Sequence, residues 1–180
     1  MLLTYSECKE KYGNDYQIKK QLREKKLFFL EKGIYSDKSY EPELSIITMK
    51  YPKAVVTLNT AFYFYNLTDT IPDKYYLMTE KKAAKIRDNR VLQIYENGVE
   101  AYLGVIETEY NGRDFRIFNR ERMLVELLRN KNKLPFDYYK EILLNYRKII
   151  HELDIPEIQD YIYALPKSRM TMEILQLEVL

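Results

Sequence analysis

Three carboxylates offer the one arrangement in this sequence that could support catalysis. Glu107, Glu109 and Asp114 flank a predicted hairpin, and the basic segment 81–90 precedes them. Acidic side chains that hold a divalent metal are typical of metal-dependent nucleases. Glu107 and Glu109, however, alternate with their neighbours as in a strand with one face in solvent. We therefore keep a nuclease as the least favoured alternative and expect a protein that is not an enzyme and has no catalytic residues.

The single cysteine, Cys8, and the single histidine, His151, cannot form a zinc site, which needs several such ligands at fixed spacings. We expect Cys8 to be a buried or half-buried thiol on the first helix. His151 is expected at the end of a helix, where a cation interacts favourably with the helix dipole. No P-loop, nucleophile elbow or dinucleotide-binding glycine pattern occurs. The sequence therefore predicts no metal site and no cofactor.

The first 38 residues have the pattern of a helix, a tight turn, a second helix and a hairpin. Thr4 and Glu7 match a capping box, and Gly13 ends the helix that they begin. A second helix is expected over 15–26, and two β-prone runs around Gly33 predict a hairpin. This order is the second half of a winged helix. We expect a module without the first helix that winged helices usually carry.

In a winged helix, the second helix of the pair enters the major groove and the wing touches the DNA backbone. Lysine side chains would neutralise phosphates and make the affinity depend on salt. Glutamine and arginine are the types that read adenine and guanine edges. The predicted DNA-binding residues are Tyr16, Gln17, Lys19, Lys20 and Arg23 on the helix and Lys32 in the wing. The alternative is an ordinary solvated helix face, which the neighbouring Glu24 would suit.

The charge distribution supports an anionic partner at the N-terminus. The formal net charge is +2, but residues 1–38 hold nine Lys or Arg against six Asp or Glu, and the rest holds 20 against 21. One cysteine suits a reducing compartment. There is no signal-peptide pattern, and no apolar run approaches the roughly 20 residues of a membrane span. We expect a cytoplasmic protein with no membrane partner.

The rest of the sequence predicts a second domain, residues 44–180, after a polar linker over 36–43. The clearest hairpin joins 105–110 to 113–118 through Asn111-Gly112, a tight-turn dipeptide. Further strands are expected at 75–79 and 91–95, with the helix-prone segment 81–90 between them, and helices at 119–129, 136–153, 156–164 and from 168. The expected fold class is α+β: a small winged-helix-like module over 1–38, a mixed central domain with short antiparallel strands, and a helical C-terminal tail.

Three segments carry a resemblance to a known family. The apolar and aromatic run 54–66, followed by Leu67-Thr68-Asp69-Thr70-Ile71-Pro72, is similar to the core signature of the AbiE-type abortive-infection antitoxins. Lys32-Gly33-Ile34-Tyr35-Ser36 resembles the family's wing return strand. Residues 118–129 are similar to its Ser-Pro-Glu-Arg-Thr-Leu-x-Asp-x-Leu segment, with Asn119 in place of the cap serine and Arg120 in place of the proline. The resemblance favours a buried helix over 54–66.

The resemblance implies an antitoxin of a type IV toxin–antitoxin system that serves phage defence. In that family the N-terminal module binds promoter DNA of its own operon and represses transcription. The remainder antagonises a nucleotidyltransferase-like toxin, often without a stable complex, and performs no catalysis. A protein-interaction module with a vestigial winged helix is the alternative, since it would suppress the toxin without binding DNA. The sequence leaves the operator, the toxin and the oligomeric state open.

Overall fold

The chain folds into eight α-helices and eight strands that form two sheets, and a computed structural model describes residues 1–180. The chain contains both helices and strands, which confirms the expected mixture of the two. The chain divides into two compact units. Unit 1 comprises Met1–Pro52 and Thr108–Phe115, and unit 2 comprises Lys53–Glu107 and Arg116–Leu180. No helix is both long enough and apolar enough to cross a membrane.

Unit 1 is built on a three-stranded antiparallel sheet in the order β1-β3-β2. The expected pair of helices lies between the first strand and the hairpin, and a further helix follows. The elements are β1 (Leu2–Thr4), α1 (Tyr5–Tyr12), α2 (Asp15–Arg23), β2 (Phe28–Glu31), β3 (Ile34–Ser36) and α3 (Glu43–Lys50).

Local capping residues define where the first two helices begin and end. Thr4 and Glu7 form the predicted capping box, and Gly13, at φ 92°, ends α1. The Asn14 side chain accepts the backbone N–H of Gln17 and begins α2. That helix ends at Arg23, three residues before the predicted end. It stops there because the chain turns through Lys25, at φ 56°, in the left-handed region.

Helices cover both faces of this sheet because successive strand residues point to opposite sides. On one face Leu3 and Tyr35 pack with Cys8, Ile18 and Leu22 of α1 and α2. On the other face Leu2 and Ile34 pack with Ile46 and Met49 of α3. Unit 1 therefore extends past residue 38, the predicted end of the N-terminal module.

The segment 36–43, expected to be a polar linker, contains two buried side chains. Ser36 and Glu41 are buried, and the Ser36 hydroxyl donates to Glu41 Oε1 at 2.5 Å. Asn111 Nδ2 donates to the other carboxylate oxygen at 2.5 Å. Burial raises the pKa of Glu41, but these hydrogen bonds outweigh it and leave the pKa below its ordinary value. These two residues of the segment are therefore held in place, which its polar composition alone does not show.

Glu7 connects the first helix to the tip of the hairpin formed by β7 (Val105–Tyr110) and β8 (Arg113–Phe118). This tip, Thr108–Phe115, belongs to unit 1. Arg113 Nη2 donates to both Glu7 carboxylate oxygens, at 2.7 and 2.8 Å, and also to the Leu2 carbonyl. Burial raises the pKa of Glu7, but hydrogen bonds from Arg113 and Thr4 outweigh it and lower the pKa below 4.5. The ionised carboxylate therefore stabilises the fold above pH 4.5, and this contribution is lost as the pH falls through the lowered pKa.

Replacing Glu7 with glutamine is expected to lower the free energy of unfolding by about 1 kcal/mol at pH 7, a modest value because Glu7 is partly exposed. The difference from the wild type should shrink as the pH falls below 4.5. Urea unfolding curves between pH 3 and 7 measure it. Glu10→Gln, an exposed change on the same helix, is the control. A difference that stays constant over this pH range would contradict the role of the ionised carboxylate.

Unit 2 contains most of a five-stranded sheet in the order β6-β5-β4-β8-β7, together with five helices. Its elements are β4 (Val55–Val56), α4 (Leu58–Phe64), β5 (Tyr75–Glu80), β6 (Val91–Glu96), the unit 2 parts of β7 (Val105–Tyr110) and β8 (Arg113–Phe118), α5 (Arg120–Arg129), α6 (Phe136–Ile149), α7 (Ile155–Ala164) and α8 (Ser168–Ile174).

The sheet is mixed, whereas we expected short antiparallel strands. β4 is antiparallel to β5 but parallel to β8, and β5 is parallel to β6. The segment 81–90 joins the parallel pair β5 and β6. Its residues are helix-prone, but the segment is not helical. Its backbone binds a side chain instead. The Ile86 N–H donates to Gln93 Oε1 at 2.8 Å, and Gln93 Nε2 donates to the Ala84 carbonyl at 3.1 Å.

The run 54–66 is a strand followed by a helix, so the prediction of one continuous helix is wrong at its start. Val55 and Val56 are completely buried and pair with β5 and β8. β-branched side chains suit such a central strand. The helix begins only at Leu58, where the backbone turns through φ 42°.

Helix α5 was predicted correctly and is buried on every side. The Asn119 side chain accepts the Arg122 backbone N–H at 2.8 Å and caps the helix. The predicted apolar residues Met123, Leu124, Leu127 and Leu128 are fully buried. Arg122 and Glu126 are buried as well, and Arg122 Nε donates to Glu126 Oε1 at 3.0 Å. The pair is satisfied internally, as buried charges require.

Candidate nucleic-acid interface

Four of the five helix residues predicted to bind DNA share one face of α2. Tyr16, Lys19, Lys20 and Arg23 follow the spacing i, i+3, i+4, i+7, and all four are exposed. Ile18 is buried on the opposite side. The fifth residue, Gln17, is half-buried. The helix therefore presents three cations and one tyrosine together, with the glutamine at the edge of that face.

Acidic neighbours neutralise only part of this face. Glu24 accepts a hydrogen bond from Lys26 at 2.8 Å, which lowers the pKa of Glu24, and lies 3.9 Å from Lys20. No carboxylate lies within 4 Å of the Lys19 or Arg23 side-chain nitrogens. These two cations are therefore free to meet phosphate groups.

The acid at the start of α2 interacts mainly with α1 and less with Lys19. Asp15 accepts a hydrogen bond from the Tyr5 hydroxyl at 2.6 Å and lies 3.5 Å from Lys9. The hydrogen bond from Tyr5 lowers the pKa of Asp15, which is therefore ionised at neutral pH. Its negative charge also suits the positive end of the helix dipole.

The β2–β3 hairpin presents the sixth predicted residue, Lys32, at its turn. Lys32 is exposed and has no carboxylate within 4 Å, and Gly33 adopts φ 82° beside it. The Gly33 carbonyl accepts the Tyr5 N–H at 3.1 Å, which ties the turn to the start of α1. Phe29, 57% exposed, packs edge-on against Tyr35 with ring centres 5.6 Å apart. The lysine therefore extends from a turn whose backbone is held in place.

The other residues singled out for their chemistry lie apart from this face. Cys8 is fully buried in the core of unit 1, and burial raises the pKa of its thiol. His151 is exposed in the turn that follows α6. Glu107, Glu109 and Asp114 are all exposed on the β7–β8 hairpin. No group of three His, Cys, Asp or Glu side chains is arranged to hold a metal ion.

The aromatic run within 62–65 contributes mainly to the core of unit 2. Phe62 is fully buried, whereas Tyr63 is 42% exposed. The Tyr65 hydroxyl donates to the Phe118 carbonyl at 2.7 Å, and burial raises the pKa of Tyr65 to about 12. A half-buried phenol with a backbone acceptor serves packing.

Sequence reasoning missed two polar features of unit 2. One is the buried Arg122–Glu126 pair on α5, which has no sequence signal beyond its i, i+4 spacing. The other is the exposed basic segment 81–90, whose charge was visible but whose backbone was expected to be helical.

Comparison with protein-family models and with curated proteins finds no match to this chain. The similarity to the AbiE antitoxins thus stays a prediction that rests on the three quoted segments.

Proposed function

We propose that this chain is a DNA-binding transcriptional regulator that contacts DNA through α2 and the β2–β3 hairpin. The observation that carries the proposal is the exposed basic face of α2 in a unit with the element order β1-α1-α2-β2-β3 and the sheet order β1-β3-β2. A winged helix has this order after its first helix. In such a module α2 enters the major groove, and the hairpin is the wing.

The residues of this surface make different contacts with DNA, according to the chemistry of their side chains. Lys19, Lys20 and Lys32 contact phosphates and contribute affinity that falls with salt. Arg23 is the side chain with the geometry to bind a guanine edge, and Gln17 the one that suits adenine. Tyr16, 66% exposed at the first turn of the helix, packs against the sugar–phosphate backbone.

We further propose that the regulator is an antitoxin of the AbiE type. It represses its own promoter and counters a nucleotidyltransferase-like toxin encoded beside it. The resemblance of three segments, 32–36, 54–72 and 118–129, supports this assignment. Segment 54–72 contains β4 and α4, and segment 118–129 contains α5. All three elements have buried residues, so residues that the resemblance rests on also form part of the core of unit 2.

The DNA proposal predicts that Lys20→Glu with Arg23→Glu weakens binding to DNA from upstream of the gene by about 100-fold. The variant loses two favourable contacts, each worth roughly 1–3 kcal/mol, and gains two charges of the wrong sign. Fluorescence anisotropy across a salt titration measures the effect. Lys140→Glu with Lys148→Glu, an equal change of charge at exposed positions of α6, should bind like the wild type.

Two outcomes would count against this interface. If the wild-type protein shows no salt-dependent binding to upstream DNA, the module does not bind its promoter. If the variant at Lys20 and Arg23 binds as tightly as the α6 control, α2 is not the recognition helix.

The antitoxin proposal has its own test, which is co-expression with the neighbouring toxin gene. The wild type should restore growth, and the variant at Lys20 and Arg23 should do so equally, since antagonism is assigned to the rest of the chain. Growth rescue without promoter binding by the wild type would identify the protein-interaction alternative. Failure of the wild type to restore growth would contradict the antitoxin assignment.

A further inference from the structure

Two adjoining depressions on unit 2 form a groove lined by cations and one tyrosine. The first, about 550 Å³, is lined by Lys53, Arg116 and part of the 81–90 segment. The second, about 380 Å³, is lined by Lys81 and Lys82. Tyr102 and Glu80 line both, so the two adjoin. We call this surface the basic groove and define it by Lys53, Lys81, Lys82, Tyr102 and Arg116.

The segment 81–90 adds further positive charge beside the groove. Its one acid, Asp88, binds Arg90 within the segment at 2.7 Å. The other four cations of the segment are exposed and have no carboxylate within 4 Å. They are Lys81, Lys82, Lys85 and Arg87. The acids of the groove itself, Glu80 and Glu96, are fewer than the cations around it. The surface therefore carries a local positive excess.

These cations are held on an ordered backbone. Besides its bonds to the segment, Gln93 Nε2 donates to Thr79 Oγ1 at 2.8 Å, which fixes the glutamine on the sheet. The Lys81 N–H donates to the Glu96 carbonyl at 3.0 Å, and the Ala83 N–H donates to the Glu80 carbonyl at 2.9 Å. An ordered loop loses less conformational entropy when a ligand binds.

Tyr102 and Arg116 provide flat surfaces inside the groove. The Arg116 guanidinium lies 5.3 Å from the centre of the Tyr102 ring, and its Nη1 donates to the Lys53 carbonyl at 3.1 Å. Burial and the neighbouring Glu80 raise the pKa of Tyr102, so the phenol is neutral at physiological pH. Aromatic rings and guanidinium planes are the surfaces on which unpaired bases stack.

We propose that the basic groove binds single-stranded nucleic acid. Lys81, Lys82 and the cations of the adjacent loop contact phosphates, while a base stacks on the Tyr102–Arg116 pair. A single strand fits better than a duplex because a base must leave its neighbours to enter a concave site. This site is separate from the α2 face and goes beyond the promoter binding proposed for unit 1.

The test uses the full chain carrying Lys20→Glu and Arg23→Glu, so that the α2 face does not contribute to binding. Fluorescence anisotropy is measured with a 12-nucleotide DNA and an RNA of the same sequence. Adding Lys81→Glu with Lys82→Glu should weaken binding at least tenfold. It should also reduce the slope of log affinity against log salt by about 1.4, since each phosphate on a single strand contributes about 0.7. Lys140→Glu with Lys148→Glu is again the charge-matched control.

A second variant separates base stacking from simple attraction between opposite charges. Tyr102→Leu should weaken binding to the oligonucleotide about tenfold, as the loss of one stacked base predicts. It should leave binding to inorganic polyphosphate, which has no bases, unchanged. Thermal melting of each variant confirms that it is folded. Binding to DNA alone, to RNA alone or to both supports the proposal. The comparison shows which of the two nucleic acids the groove prefers.

The proposal is overturned by any of three results. The variant at Lys81 and Lys82 could bind as tightly as its control, or neither oligonucleotide could bind at low salt. Tyr102→Leu could also weaken polyphosphate and oligonucleotide binding equally. The groove would then bind polyanions in general, without base stacking. None of these results bears on promoter binding by α2, because every chain compared in this test carries Lys20→Glu and Arg23→Glu.

Discussion

Replacing Glu126 with alanine is expected to lower the free energy of unfolding by about 3–5 kcal/mol. Glu126 Oε1 accepts hydrogen bonds from Arg122 Nε at 3.0 Å and from Arg129 Nη1 at 2.6 Å. Arg122 is 1% exposed, so its guanidinium is almost completely removed from bulk solvent. Two guanidinium groups would then lie together without the carboxylate that bonds to both of them. Urea unfolding followed by circular dichroism measures the change.

An exposed pair with the same spacing provides the control. Arg169 and Glu173 are also four residues apart on a helix, at 3.3 Å, but their side chains are 94% and 60% exposed. Glu173→Ala is expected to cost less than about 0.5 kcal/mol. Equal effects of the two substitutions would contradict the structural role of the buried pair.

Replacing Leu127 with aspartate is expected to unfold unit 2. Leu127 is completely buried in α5, as are the neighbouring Leu124 and Leu128. A carboxyl group at this site loses its hydration whether it is ionised or protonated, and the leucine contacts are lost as well, which together cost several kcal/mol, comparable with the roughly 5–15 kcal/mol by which a domain is usually stable. Loss of the cooperative thermal transition and a shift of the protein to the insoluble fraction are the expected results.

The same substitution at an exposed leucine tests whether the loss of stability comes from burial of the residue or from the change of residue type alone. Leu177 is 83% exposed, so Leu177→Asp should leave the melting temperature within a few degrees of the wild type. A soluble Leu127→Asp protein with a normal melting curve would show that this face of α5 is not core.

The elements that could be predicted from the sequence are those defined by neighbouring residues. Thr4 with Glu7 and Asn119 are caps that act within three residues, and both begin a helix as expected. The Asn111-Gly112 turn has φ 55° and 77°, the two positive angles that its hairpin requires. The predicted residues Tyr16, Lys20 and Arg23 are exposed on one face of α2, as the local period of a helix places residues four and seven apart.

The elements that could not be predicted depend on residues far away in the chain. Val55 and Val56 form a strand because β5 and β8 lie on either side, which an apolar run cannot reveal. Segment 81–90 has helix-forming residues, but Gln93 binds its backbone groups. Glu41 is buried because Asn111, 70 positions later, binds it. The basic groove has the same origin, since Lys53, Tyr102 and Arg116 meet only in the folded unit.

The two-segment composition of unit 1 has a consequence for synthesis on the ribosome. The unit needs Thr108–Phe115, which the ribosome makes only after Lys53–Glu107. At about 5–20 residues per second this interval lasts roughly 3–11 s. During it, Glu7 lacks Arg113, a partner 106 positions away, and Glu41 lacks Asn111. The acids Glu7 and Glu41 of the nascent N-terminal segment are therefore paired only after the hairpin has been made. A ribosome that stalls before residue 108 holds an incomplete unit 1.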